Sequence, residues 1–367
     1  MTPLSRRPAV LSLAERLELY PDATGRGVTI AFVDSGFYAH PDLLYPERRI
    51  KTYADVTQDS PTPGEFFTPN PSAWHGTMTT AMAAGSGYLS GGRFHGPASS
   101  AEVVLVKASD PSGRIRGLHV ARALEFVLHH PELSVRVVNV SLGVSPDDPD
   151  RRRVEAALEA LAAASVLVVA AAGNDPTAPP ELPGSSKLAL TVGGISDGNT
   201  RDTSDDTVWE SSSHGGGKPD LVAPAVLLPA PMLPGTLQAR EASALFRLLG
   251  IEEEREVEDR FRGASRDTSL VDALAERIRQ ERYLSSHYKE VEGTSFAAPI
   301  TTAVLAQMLE VHGALTPDEA RGILLETARP LRGVPRRLQG AGVLAPRDAV
   351  LVAARRASPT RAPRSAL

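Results

Sequence analysis

From Val28 to about Gly194, short apolar β-branched runs alternate with stretches of helical periodicity. The runs VTIAFV (28–33), EVVLVK (102–107), VRVVNV (135–140), VLVVAA (166–171) and LALTVG (188–193) predict strands, with helices over about 76–84, 117–129 and 151–164. Strands that are apolar almost throughout are buried on both faces. The pattern therefore predicts an α/β fold, a doubly wound and mostly parallel sheet with helices on both faces and right-handed crossovers. In such sheets functional groups gather beyond the carboxyl ends of the strands. Asp34 follows the first run, Ser141 the third and Asn174 the fourth, so the three are expected on one edge.

The periodicity changes between residues 236 and 287. REASALFRLLGIEEEREVEDRFRG and TSLVDALAERIRQERYLSSH are charge-dense, and Leu270, Val271, Leu274 and Ile278 recur at helical spacing, which predicts a small helical insertion. A solvated surface hairpin and a regulatory, partner-binding element are both open readings of it. The expected division is an N-terminal extension (1–23), a main domain (24–353) containing the insertion, and a Pro- and Arg-containing disordered tail (354–367).

Composition narrows the function classes. With 42% hydrophobic and 23% charged residues the chain reads as globular. A net charge of −5 without a long basic run argues against nucleic acid, and no apolar run is long enough to span a bilayer. Glu15, Arg16 and Glu18 interrupt the N-terminal apolar positions, so no signal peptide is visible and a cytoplasmic location is expected. Zero cysteines remove disulfides and thiolate metal sites.

Three stretches carry the candidate chemistry. FVDSGFYAHPDL holds Asp34 at a strand end, WHGTMTTAMAAGSG holds His75 at the mouth of a helix of small residues, and EGTSFAAPITTAVLAQMLE holds Ser295 before an apolar helix. Singly these are ordinary: a turn aspartate, a structural histidine, a serine helix cap. Together they match what acyl transfer by serine needs: a base for the hydroxyl proton, a carboxylate to orient the base, and donors for the oxyanion, for which an asparagine such as Asn174 serves.

These motifs resemble those of the subtilisin-like serine proteases, the subtilase family; the order Asp, His, Ser with an asparagine donor is that of subtilisin itself. VTIAFVDSG resembles the family's Asp motif, HGT its His motif and GTSFAAP its Ser motif, while VVNVSLG, AAAGN, KPDLVAPA and GAGVLAPRDAV resemble its other landmarks. The resemblance covers roughly Thr24 to Val352 outside the insertion. It implies an endopeptidase acting on peptides or proteins, in a dedicated processing role or in general turnover. Asp34 would orient His75, His75 would be the general base and then acid, Ser295 the nucleophile, and Asn174 with the Ser295 N–H the oxyanion donors. Substrate backbone would lie as a strand between Gly113-Arg114-Ile115 and Ser141-Leu142-Gly143. The pocket before the cleaved bond would use Ser141, Ala171, Ala172, Gly173 and the LPGSS stretch, which predicts room for uncharged side chains, and Leu182–Pro183 aligns with a cis bond.

The chain departs from the family at Met78, where a second histidine is usual, and at Phe296, where methionine is common. The short N-terminal region suggests that residues 1–20 lie across the cleft and restrain activity. Asp42 aligns with a calcium ligand, but a hard cation needs about 6–8 oxygens and no other ligand is identifiable. No cofactor is therefore assigned, and calcium stays open. Two rivals remain. A dinucleotide-binding protein needs a G-x-G-x-x-G turn, which VDSGFYAHPD is not. A catalytically silent subtilase would bind peptides or act as a scaffold.

Overall fold

The apolar runs form the strands that their pattern predicts. The computed structural model describes residues 9–58, 65–263 and 267–357. Its strands are β1 (Thr29–Asp34), β2 (Ile50–Asp55), β3 (Glu102–Lys107), β4 (Val135–Val140), β5 (Leu167–Ala171), β6 (Ala189–Ser196), β7 (Thr207–Val208), β8 (Leu221–Pro224), β9 (Leu228–Pro231) and β10 (Tyr288–Val291). The helices are α1 (Leu13–Arg16), α2 (Pro41–Leu44), α3 (Ala73–Ala84), α4 (Gly117–His129), α5 (Arg151–Ala163), α6 (Leu237–Phe261), α7 (Ser269–Gln280), α8 (Thr294–Val311), α9 (Pro317–Thr327), α10 (Arg336–Gln339) and α11 (Pro346–Ala357).

Among the described residues β1 to β8 make one sheet in the order β2-β3-β1-β4-β5-β6-β7, with β8 also paired to β6. Every pairing is parallel except that of β6 with β7. Successive side chains of a strand point to opposite faces, and β1 divides its residues accordingly. Ile30 and Phe32 enter the core shared with α3 and α8, whereas Ala31 and Val33 enter the core shared with α4 and α5. Burial on both faces is why these strands read as unbroken apolar runs. Helix α8 is buried along almost its whole length, which explains why its sequence is apolar all round instead of striped. No described helix is long and apolar enough to cross a membrane.

The segment 236–287 is carried on an antiparallel ribbon of β9 and β10. Helices α6 and α7 pack against each other around Ala242, Leu249, Val271 and Ile278, with Met232 and Tyr283 closing this small core. Of the four periodic positions, Val271 and Ile278 are buried, Leu274 is packed at the edge and Leu270 faces outward.

Residues 9–20 do not lie across the cleft. A capping box between Ser12 and Glu15 starts α1. Arg16 is buried in an ion pair with Asp197 and donates to the carbonyls of Val226 and Leu227 at 2.9 and 2.7 Å. Asn199 accepts from the Leu11 N–H at 2.9 Å, and Arg93 donates to the Val10 carbonyl at 3.0 Å. Removing one partner of a buried ion pair typically costs about 3–5 kcal/mol, so this docking holds the segment against Asp197 and the link between β8 and β9, and none of residues 9–20 lines a cavity with Ser295. Residues 1–8 lie outside the described residues. At the other end α11 continues to Ala357, four residues into the expected tail, and residues 358–367 lie outside the described residues.

Candidate active site

Asp34 closes β1 and is buried at the sheet's carboxyl edge. Its Oδ1 accepts from the Ser35 N–H at 2.7 Å and lies 2.7 Å from His75 Nδ1, while its Oδ2 accepts from the Thr79 hydroxyl at 3.0 Å. A carboxylate only accepts, so Nδ1 carries the proton of this bond and Nε2 of the neutral ring is the nitrogen left without one. His75 reaches Asp34 because α3 approaches β1 closely at Gly76. A Cβ there would come within 2.3 Å of the Gly36 carbonyl oxygen. Burial pushes the His75 pKa down, but the Asp34 charge and hydrogen bond outweigh it, and the net shift is upward from 6.5. Trp74 and Phe296 flank the imidazole, with ring centroids at 5.2 and 5.8 Å.

Ser295 is the second residue of α8, after Gly293 at φ 138°, a conformation suited to glycine. Pro299 has no N–H, so the Ser295 carbonyl lacks its usual helical donor. The Ser141 hydroxyl supplies one at 2.9 Å, and a buried chain continues from Ser141 through Asn139 to Thr302. The chemistry of the Ser motif is thereby tied to the end of β4. The Ser295 side chain makes no hydrogen bond among the described residues. The His75–Asp34 contact is formed at 2.7 Å.

Asn174 is oriented by Thr294. Its Oδ1 accepts from the Thr294 N–H at 3.0 Å and from the Thr294 hydroxyl at 2.9 Å, and that hydroxyl accepts in turn from the Gly173 N–H. With Oδ1 committed, the amide NH2 of this exposed residue is free to donate next to Ser295. Ser141, Leu142, Gly143, Ala171, Ala172 and Gly173 share a cavity of about 340 Å³ with Asn174 and Ser295.

Two expectations about this cavity change. The LPGSS stretch does not line it, although Leu182–Pro183 is cis. In its place Glu181 and Asp175 stand in the wall, so the pocket carries two carboxylates and is not uncharged. Glu181 Oε2 sits where a Cβ on Gly143 would lie 2.4 Å away. The Thr177 hydroxyl and N–H hold the Asp175 carboxyl below the usual carboxylate range. Gly113, Arg114 and Ile115 all lie outside the cavity, Gly113 and Arg114 on an exposed turn and Ile115 half-buried in a bridge with Ser109. Arg114 spends its own N–H and C=O on Asp110, which leaves the Gly113 carbonyl and the Ile115 backbone groups for any added strand.

Asp42 does not fit a calcium site. Its Oδ1 accepts from the Leu89 N–H at 3.1 Å, its Oδ2 accepts from the Tyr288 hydroxyl, and Arg49 donates to its backbone carbonyl. Protein donors thus occupy the oxygens that a hard cation would need. Among the described residues no group of three or more His, Cys, Asp or Glu is arranged to hold a metal.

Thr294, Glu181 and Trp74 escaped the sequence reading. The grip of Thr294 on Asn174 spans 120 positions. Glu181 precedes a proline turn with no local sign that it faces a groove.

A profile of the subtilase family matches residues 25–342. Serine protease AprX of Bacillus subtilis (strain 168) is 29% identical over 338 residues, which cover 88% of this chain and 65% of that protein. Subtilisin BL of Lederbergia lenta is 32% identical over 203 residues, covering 55% of this chain and 65% of that protein. The chain thus spans just under two thirds of the length of these relatives. The fold is shared with a solved structure described as that of the prenylagaramide maturation protease PagA, at a TM-score of 0.61 and 19% identity over 89% of this chain and 93% of that one. The family profile alone spans most of the sequence, and the chain belongs to the subtilase family.

Proposed function

We propose that the chain is a serine endopeptidase that cleaves peptide bonds through an acyl-enzyme intermediate. His75 Nε2 takes the proton of Ser295 Oγ as that oxygen attacks the substrate carbonyl, and Asp34 stabilises the imidazolium that forms. The oxyanion receives hydrogen bonds from Asn174 Nδ2 and from the Ser295 N–H at the positive end of α8. His75 then gives its proton to the departing amine, and a water activated by the same imidazole hydrolyses the ester. The observation that carries this reading is the pair of locks on the groups flanking Ser295: Asp34 on the base and Thr294 on the amide donor.

Asn174→Ala tests it. Loss of one oxyanion donor costs about 10²–10³ in turnover, so kcat for a peptide substrate should fall by that factor with KM little changed and the circular dichroism spectrum intact. Turnover near wild type would remove Asn174 from the mechanism.

The two carboxylates extend the reading to preference. Lysine or arginine before the cleaved bond is expected to outperform leucine by roughly tenfold in kcat/KM. Both acids are exposed, so solvent and salt screen the attraction well below its buried value. Glu181→Gln should remove most of that preference, and added salt should shrink it. Equal or faster cleavage after leucine would contradict it. The root of the helical insertion stands beside the groove, which favours a dedicated processing role over general turnover and makes the insertion the element that chooses a partner or substrate.

A further inference from the structure

The proton bookkeeping of the first half-reaction fixes where the leaving peptide runs. The amine departs with the proton from His75 Nε2, so the residues beyond the cleaved bond pass the His75 ring on the side away from the Asn174 cavity. A second and larger cavity, about 760 Å³, stands there, with Trp74, Met78, Leu233, Leu237, Val291 and Phe296 in its wall. It has no lining residue in common with the first: Ser295 lines one and Phe296 the other. Trp74 and Phe296 are the two rings that flank His75, which puts this space beside the imidazole.

Three separate features of the sequence converge here. Met78 and Phe296 are the positions at which the motifs depart from the family pattern. Leu237 opens α6 at the root of the helical insertion, and Leu233 stands on the link from β9 that leads into it. Leu237 is 85% exposed and Trp74 46% exposed, and the two share the wall of this one cavity, an arrangement more informative than scattered exposed apolar residues. The rim is polar: Arg282 pairs with Glu292 at 2.9 Å, and Lys289 stands half-buried in the wall.

We propose that this cavity receives the first or second residue of the leaving peptide and selects a bulky apolar side chain there, a proposal that rests on the endopeptidase reading above. The insertion then acts as part of the substrate site, since its root supplies one wall of the cavity. The occupant is an aromatic or long aliphatic side chain: the wall around it is mainly apolar, and the space exceeds what a small residue fills. An acidic residue drawn to Lys289 is the competing occupant.

The test uses internally quenched peptides that share a lysine before the cleaved bond and carry Gly, Phe or Glu at each of the two following positions. Phe at one of them should raise kcat/KM over Gly by about tenfold, the scale of burying one large apolar side chain. Leu237→Asp, a change at an exposed position, should lower the Phe:Gly ratio several-fold. Labelling by a small fluorophosphonate, which has no leaving peptide, separates the two levels of the argument. A protein that labels at Ser295 and cleaves the peptides, but with Phe equal to Gly or with Glu preferred, overturns the apolar subsite and leaves the endopeptidase standing. A folded protein that neither labels nor cleaves overturns both.

Discussion

Ser295→Ala and His75→Ala are each expected to lower kcat by on the order of 10⁶, and the double variant is expected to be no slower than either. In the proposed mechanism the hydroxyl and the imidazole act as one unit: without the base the alcohol keeps its proton, and without the alcohol the base has nothing to activate. In subtilisin, removal of either group alone costs about as much as removal of the whole triad. What survives is the residual acceleration of about 10³–10⁴ from the oxyanion donors and binding, here Asn174 and the Ser295 N–H. The measurement is single-turnover hydrolysis of a peptide substrate by the two single variants and the double variant. Additive losses would mean that Ser295 and His75 act on separate steps. A modest loss at Ser295 would point to another nucleophile.

Asp34→Asn carries the second-largest effect, a fall in kcat of about 10⁴, the scale found when a triad aspartate becomes an amide. The geometry gives the reason. Asp34 Oδ1 receives the Nδ1 proton at 2.7 Å and thereby presents Nε2 as a base. An asparagine can offer an N–H to Nδ1 and select the wrong tautomer. The substitution also changes the pH profile in a defined direction. Burial lowers the His75 pKa, while the Asp34 charge and hydrogen bond raise it to a net value above 6.5. The active form is the neutral imidazole, so wild-type kcat/KM should rise with pH through that elevated pKa. In the variant the burial effect is left unopposed, and the midpoint of the residual activity should move to lower pH. An unmoved midpoint would mean that Asp34 does not face the titrating base.

The sequence disclosed the fold wherever burial was two-sided. β1, β3, β4, β5 and β6 are flanked by helices on both faces, so nearly every position had to be apolar. β2 is an edge strand with mostly half-exposed residues (IKTYAD) and left no such run. The β9–β10 ribbon was hidden for a different reason. LPAP is proline-rich, and its partner YKEV lies on the far side of a long helical insertion. The site followed the same division. Asp34, His75, Asn174 and Ser295 lie at element boundaries that the periodicity marks. The residues that orient or surround them do so across 120 positions in the case of Thr294 and Asn174, or from loops whose path the pattern leaves open, as with Glu181. Of the barrier expected from residues 1–20, the described part, residues 9–20, is docked elsewhere because Arg16 has a buried carboxylate partner at Asp197, a pairing visible only once the chain is folded.

The central claim is that Ser295 is the one serine whose alcohol an imidazole activates beside a fixed oxyanion donor. Fluorophosphonate labelling of the full chain, followed by peptide mass spectrometry, tests it most directly. The account predicts a single adduct on Ser295, formed far more slowly in His75→Ala and absent in Ser295→Ala. A folded, unlabelled wild-type protein, or an adduct that persists in Ser295→Ala, would contradict it.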